Sequence, residues 1–237
     1  MNGVSERFNL TQNTLLNLLP DKSRRALPPL EAVSLQEGMI LYEPDERVEY
    51  VYFPEDALVS ILSLGPDGST VEVGLIGREG MVGVPAILGG VTPYRAVVQI
   101  PGNAFRMKCG RLNDEEYSRN KAFQNLLLKY TNTFLIQVTQ SSLCNCYHPL
   151  QERVCRWLMV ARDAAQTDTL RVTHETIARL LGTRRASVTG VAGLLQKSGL
   201  IRISRGQITV LDANRLREMC CECYLILKDG VRQLTIQ

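Results

Sequence analysis

One stretch constrains this chain more than any other: Arg171–Asp212, RVTHETIARLLGTRRASVTGVAGLLQKSGLIRISRGQITVLD. Its pattern predicts a helix, a Gly-containing turn, a second helix and a tight hairpin, the layout of a winged helix-turn-helix. Thr173 is placed to N-cap the first helix, its hydroxyl accepting a bond from a backbone N–H two or three residues on. Ile177, Ala178, Leu180 and Leu181 recur on one helical face. Gly182 follows, where a left-handed residue stops a helix. Thr183 is the expected N-cap of the second helix, which should turn Val188, Val191, Ala192, Leu194 and Leu195 inward. Arg184, Arg185, Ser187 and Thr189 are left toward the N-terminal end of the other face, where a recognition helix meets base edges and phosphates. Arg185 and Ser187 are the expected base readers, with Arg184, Thr173 and Thr189 near phosphates and His174 a further phosphate candidate. Leu200–Ser204 and Gln207–Leu211 alternate as strands about Arg205-Gly206, a wing that places Arg205 at its tip.

Charge agrees with a duplex-DNA partner. From His148 to Leu211 there are ten basic residues against four acidic ones, while the whole chain of 237 residues carries only +3. A basic segment on a near-neutral protein is the footprint of a phosphate backbone. No apolar run approaches the ~18 residues of a membrane span, and the first residues, MNGVSERFNLTQ, lack the apolar region of a signal peptide. The expected location is cytoplasmic, with no membrane partner. Only two histidines, no nucleophile elbow and no phosphate-cradling loop leave an enzyme without parts.

The N-terminal half reads differently. Residues 1–28 look helical, with Leu15, Leu16, Leu18 and Leu19 as the apolar face. Short strands follow at Glu31–Leu35, Met39–Tyr42, Val48–Phe53, Ala57–Leu64, Thr70–Leu75, Arg95–Ile100 and Asn103–Lys108. Gly65-Pro66-Asp67-Gly68 supplies a hairpin connection, and so many short strands imply a barrel, roll or sandwich. From Asn113 the pattern is helical into the 140s, where Phe123, Leu127, Tyr130, Phe134, Val138 and Ser141 repeat at spacings of three and four. A seam of this kind suits pairing with an identical partner. Pro149 fits the first turn of the next helix. The fold class is therefore α+β, with an antiparallel barrel, roll or sandwich and N-terminal helices over 1–112, a dimerisation helix over 113–147 and a winged helix-turn-helix over 148–237.

These parts, in this order, resemble the Crp/Fnr family of bacterial transcription regulators. The most specific stretches are the helix-turn-helix, the roll segment Ala57–Gly90 and the joint HPLQERVCRWLMVARD, His148–Asp163. The resemblance implies that the strands over 1–112 form an antiparallel β-roll, cyclic nucleotide-binding-like and acting as sensor. It also implies a homodimer on a roughly palindromic operator, and RNA polymerase as a further candidate partner. Two departures matter. The family's cyclic-AMP cassette begins Gly-Glu-Leu and later carries Arg-Ser; here the matching positions read Gly83-Val84-Pro85 and Tyr94-Arg95. Gly83, Val84, Tyr94 and Arg95 mark the candidate effector pocket, but without the carboxylate the ribose hydroxyl loses its partner, at about 1–3 kcal/mol. Weak or no cyclic-nucleotide binding is expected. In the recognition helix, Ala186 stands where many members carry Glu, and Gly190 where they carry a later Arg, so the half-site should differ from the commonest one.

Of seven cysteines, Cys144, Cys146 and Cys155 cluster near the joint with His148, and Cys220, Cys221 and Cys223 near the C-terminal end. Neither group has paired C-x-x-C spacing. A helical Cys-Cys-x-Cys splays its thiols, since adjacent residues do not share a face. Core thiols are the expectation, with no metal and no cofactor. An alternative reading is a redox or metal-dependent sensor module whose DNA binding is secondary.

Overall fold

The computed structural model describes residues 11–89, 91–110 and 119–235. Two short helices, α1 (Thr14–Asn17) and α2 (Asp21–Arg25), precede seven strands: β1 (Glu31–Leu35), β2 (Ile40–Tyr42), β3 (Tyr50–Pro54), β4 (Leu58–Leu64), β5 (Thr70–Ile76), β6 (Tyr94–Ile100) and β7 (Gly102–Lys108), with α3 (Val84–Leu88) between β5 and β6. All pair antiparallel, in two sheets ordered β1-β7-β3 and β2-β6-β4-β5. This is the expected roll, and every strand read from the sequence is present with ends shifted by two residues or fewer. The expected helical start at Asn113 lies outside the described residues.

Strand β4 ties the roll to the C-terminal domain. Five of its residues in succession are buried, which requires cover on both faces. Val59 and Ile61 join Phe53, Met81 and Phe105 in the roll's interior. Leu58 and Leu62 face the other way and join Trp157, Leu158 and Ile177 in the second core. The roll therefore packs directly on the C-terminal domain. Glu72 of β5 stitches this junction: its carboxylate accepts from the indole Nε1–H of Trp157 at 2.9 Å and from the Ser60 hydroxyl.

Helix α4 (Lys121–Tyr147) runs along the roll, and α5 (Leu150–Ala165) follows after the extended His148. Asn120 caps α4, its side chain accepting from Phe123 N. Phe123, Leu126, Leu127, Tyr130 and Phe134 belong to the roll's own core. The helix comes so close that a Cβ on Gly74 would stand 2.6 Å from the Phe134 ring, and one on Gly80 would strike Tyr130. Beyond α5 come β8 (Thr169–Arg171), α6 (His174–Leu180), α7 (Arg185–Lys197), β9 (Ile201–Ser204), β10 (Gln207–Val210), α8 (Ala213–Glu218) and α9 (Cys223–Gln233). Strands order β8-β10-β9, so the wing has a third strand that the sequence reading did not include. Helix α9 returns to α4, where Thr133 Oγ1 donates to Gly230 O at 3.3 Å.

Candidate nucleic-acid interface

The reading head is built from local rules. Thr173 N-caps α6, its Oγ1 accepting from Thr176 N at 3.1 Å. Gly182 sits at φ 59° just past the helix. Thr183 N then donates back to Ala178 O at 2.9 Å, closing the orphan carbonyls of α6. That bond fixes Thr183 in the first helix's termination, so the N-cap of α7 falls one residue later than expected. Arg184 occupies it in extended conformation, with no side-chain cap. The first turn of α7 therefore presents its backbone N–H groups and two guanidinium side chains together.

The burial pattern sorts α7 nearly as expected. Val188, Ala192 and Leu195 are buried and Val191 is partly so, but Leu194 is 56% exposed and does not join the core. Arg184, Arg185, Ser187 and Thr189 lie on the open face. Arg205 and Gly206 both have positive φ, 38° and 78°, as a two-residue hairpin turn matched to strand twist requires. The turn brings Gly206 to Thr173, and a notch of about 400 Å³ opens between them, lined by Thr173, His174, Glu175, Arg185, Gly206 and Gln207. His174 is turned inward: its Nδ1 stands 3.1 Å from the Thr189 hydroxyl, and burial and the Arg185 charge lower its pKa. It links the two helices through that contact. Glu175 approaches Arg185 at 3.9 Å. Neither Glu175 nor Gln207 stood out in the sequence, because their place in the notch depends on the crossing of α6, α7 and the wing.

Gly190 and Gly193 sit inside α7, yet a Cβ on either would meet nothing within 4 Å. The fold does not require glycine there, and each costs the helix about 0.5–1 kcal/mol relative to Ala.

The four candidate effector residues lie at the start of α3 and the start of β6. Arg95 is committed to Glu43, Nε to Oε2 at 2.7 Å. Val84 is buried, and Gly83 at φ 115° lies against Val51. A cavity of about 260 Å³ opens elsewhere, between the roll, α4, α5 and α9, and none of the four lines it; Arg78, Glu79, Gln137, Asp163 and Lys228 supply its polar wall.

The expected dimer seam is also corrected. Phe123, Leu127, Tyr130, Phe134 and Ser141 are buried, and Val138 packs against the same roll core, all within this chain. That face of α4 is occupied by the chain's own roll and α9. The opposite face carries Asn125, Leu128, Asn132, Leu135, Thr139, Ser142 and Cys146, all exposed and again spaced by three and four.

The cysteines do not keep to two separate groups. Residues 219–222 form a turn between α8 and α9 rather than a continuous helix, so the expected splaying does not hold. Cys221 and Cys223 face Cys144 and His148, and the ligand atoms of these four lie within 4.8 Å of one another. Cys146 is exposed, while Cys155 is buried in the second core.

Among the described residues no helix is long and apolar enough to cross a membrane. Residues 32–114 match the cyclic nucleotide-binding domain model, and residues 152–219 match the Crp-like helix-turn-helix domain model. A global nitrogen regulator from Synechococcus elongatus is 24% identical over 212 residues, covering 85% of this chain and 94% of that regulator. A CRP-family transcriptional regulator from Thermus thermophilus superposes with a TM-score of 0.64 at 20% identity, over 79% of this chain and 95% of that one. FixK2 from Bradyrhizobium japonicum gives 0.66 at 18% identity, over 81% and 98%. With a cyclic nucleotide-binding-type roll, a long connecting helix and a winged helix-turn-helix in that order, the chain belongs to the Crp/Fnr family of transcription regulators, which are not enzymes.

Proposed function

We propose that the chain binds a roughly palindromic duplex-DNA operator as a homodimer, with the first turns of α7 in the major groove and the wing on the flanking backbone. The observation that carries this is the open N-terminal turn of α7, where Arg184, Arg185, Ser187 and Thr189 stand exposed beside the Thr173–Gly206 notch. Arg185 and Ser187 read bases; Arg184, Thr173 and Arg205 hold phosphates. Thr189, bonded to His174, approaches phosphate with its remaining hydrogen-bonding capacity.

The dimer forms through the outward face of α4. Leu128 and Leu135, each 58% exposed, take one core position of a heptad, and Asn125, Asn132, Thr139 and Cys146 take the other. Asn at such a position fixes register and pairing at some cost in stability. The roll is the sensor, and cyclic AMP is not its signal: Val84 replaces the ribose-binding acid and Glu43 already neutralises Arg95.

The test is selection of binding sites from random duplex DNA, followed by titration at several salt concentrations. A selected palindrome, and a gap of about 10³-fold or more over random DNA that survives the fall in affinity with salt, are expected. Equal affinity for all duplexes sinks the reading. Arg185→Ala should cost about 1–3 kcal/mol and relax one base pair per half-site; uniform weakening on every sequence makes it a phosphate contact instead. Gly190→Ala should stabilise the free protein by about 0.5–1 kcal/mol yet weaken operator binding, because the open backbone there lies against the duplex.

A further inference from the structure

We infer that Cys144, His148, Cys221 and Cys223 form a closed, tetrahedral site for a single zinc-class metal ion, clamping the start of α9 to the end of α4. The residues come from segments more than seventy positions apart, so only the folded chain makes the set. Cys144 Sγ and Cys221 Sγ are 3.6 Å apart, and His148 Nδ1 is 3.4 Å from Cys223 Sγ. Metal–sulfur bonds of about 2.3 Å and metal–nitrogen bonds of about 2.0–2.1 Å at tetrahedral angles place such ligands about 3.5–3.8 Å apart. A four-ligand iron–sulfur cluster spreads its ligands over two or more irons, wider than a set whose ligand atoms all lie within 4.8 Å of one another.

The surroundings are those of a ligand set. All three thiols are essentially buried, at 0%, 4% and 0% exposure for Cys144, Cys221 and Cys223. His148 turns Nδ1 toward Cys223, while its Nε2 stands 3.2 Å from the Glu222 carboxylate. This is the carboxylate–histidine arrangement that fixes the ring and raises the basicity of the ligating nitrogen. Gln140 Nε2 donates to Cys223 Sγ at 3.2 Å, a bond that favours a thiolate. Binding one divalent cation displaces three thiol protons and leaves one net negative charge. Arg156 is close enough for its charge to act on Cys144; it is only 6% exposed, and its Nε has no hydrogen-bond partner among the described residues. Four protein ligands leave no open position, so the ion is structural. This inference stands apart from the DNA-binding reading, and either can fail alone.

The experiment is metal analysis of the full chain as isolated, then cobalt(II) titration of reduced, demetallated protein without oxygen. About one zinc per chain is expected, with a thiolate–cobalt spectrum of tetrahedral type that saturates at one equivalent and is bleached by zinc. Cys144→Ser, Cys221→Ser, Cys223→Ser and His148→Ala should each lose or change that spectrum. Cys109→Ser, Cys146→Ser, Cys155→Ser and Cys220→Ser should not. Glu222→Gln keeps every ligand and should weaken zinc by about 10–100-fold, which keeps the test decisive if a thiol variant does not fold. Reduced, folded protein that takes up no cobalt overturns the site, as do bands that survive Cys144→Ser with Cys223→Ser. A Cys144–Cys221 disulfide in the protein as isolated, with no cobalt taken up after its reduction, makes the pair a redox couple instead. Iron with acid-labile sulfide also overturns it.

Discussion

The two faces of α4 share one helix and one spacing but have different partners. The inward face carries Phe123, Leu127, Tyr130 and Phe134, and the chain's own roll covers it. The outward face carries Leu128 and Leu135 among Asn125, Asn132 and Thr139, and nothing among the described residues covers it. Two residues apart near the helix end, Cys144 is fully buried on one side and Cys146 exposed on the other. The lesson is that the more apolar stripe is the one a chain buries first. An intramolecular core forms without the loss of translational freedom that association costs, so the strongest seam in a sequence is not thereby a dimer seam.

The comparison can be broken by substitution. The largest effect is expected on the outward face. Leu128→Lys with Leu135→Lys should leave the fold intact while operator affinity falls by about 10²–10⁴-fold, as one linked binding event becomes two separate ones. Sedimentation would show monomers, and an unchanged dimer would reject this face. Phe134→Ala does the reverse: about 3–5 kcal/mol of unfolding free energy should go, with dimers still forming below the lowered midpoint. Cys146 offers a sharper test. Mild oxidation should link two chains through Cys146, and Cys146→Ser should abolish the link; a cross-link that persists places another cysteine at the axis. Smallest is Gln137, whose Nε2 donates to Leu75 O at 2.9 Å on the inward side. Gln137→Ala should cost about 1 kcal/mol in denaturant unfolding and leave the dimer unchanged.

A pH effect tests the junction with the reading head. Burial pushes the Glu72 carboxyl up to about 7, against the opposing bonds from Ser60 and Trp157 and the charge of Arg156. A folded-state value above the unfolded one means the native state holds the extra proton. Stability from this group is therefore present below the ordinary carboxylate range and is lost as pH rises to about 7. Glu72→Gln should flatten that part of the thermal-midpoint profile, and an unaltered slope would assign it to another group.

How much was legible follows from contact range. Gly182, Gly199, Arg205-Gly206 and the Thr173 cap punctuate a unit whose bonds are nearly all local, so Arg171–Asp212 could be read residue by residue. The roll's strands were legible from alternation and turn residues. The double burial of β4 was not, because an apolar run does not say which domain covers its second face.

What the sequence alone determined is the order of modules and the local form of the helix-turn-helix, since helix periodicity, caps and turn glycines act within a few residues. Tertiary structure decided which stripe of α4 is core, that Arg95 is spent on Glu43, and that four ligand-bearing residues from distant segments meet at one point. Those outcomes depend on where α4 and α9 pack, and packing sums many weak contacts over the whole chain rather than following any local rule.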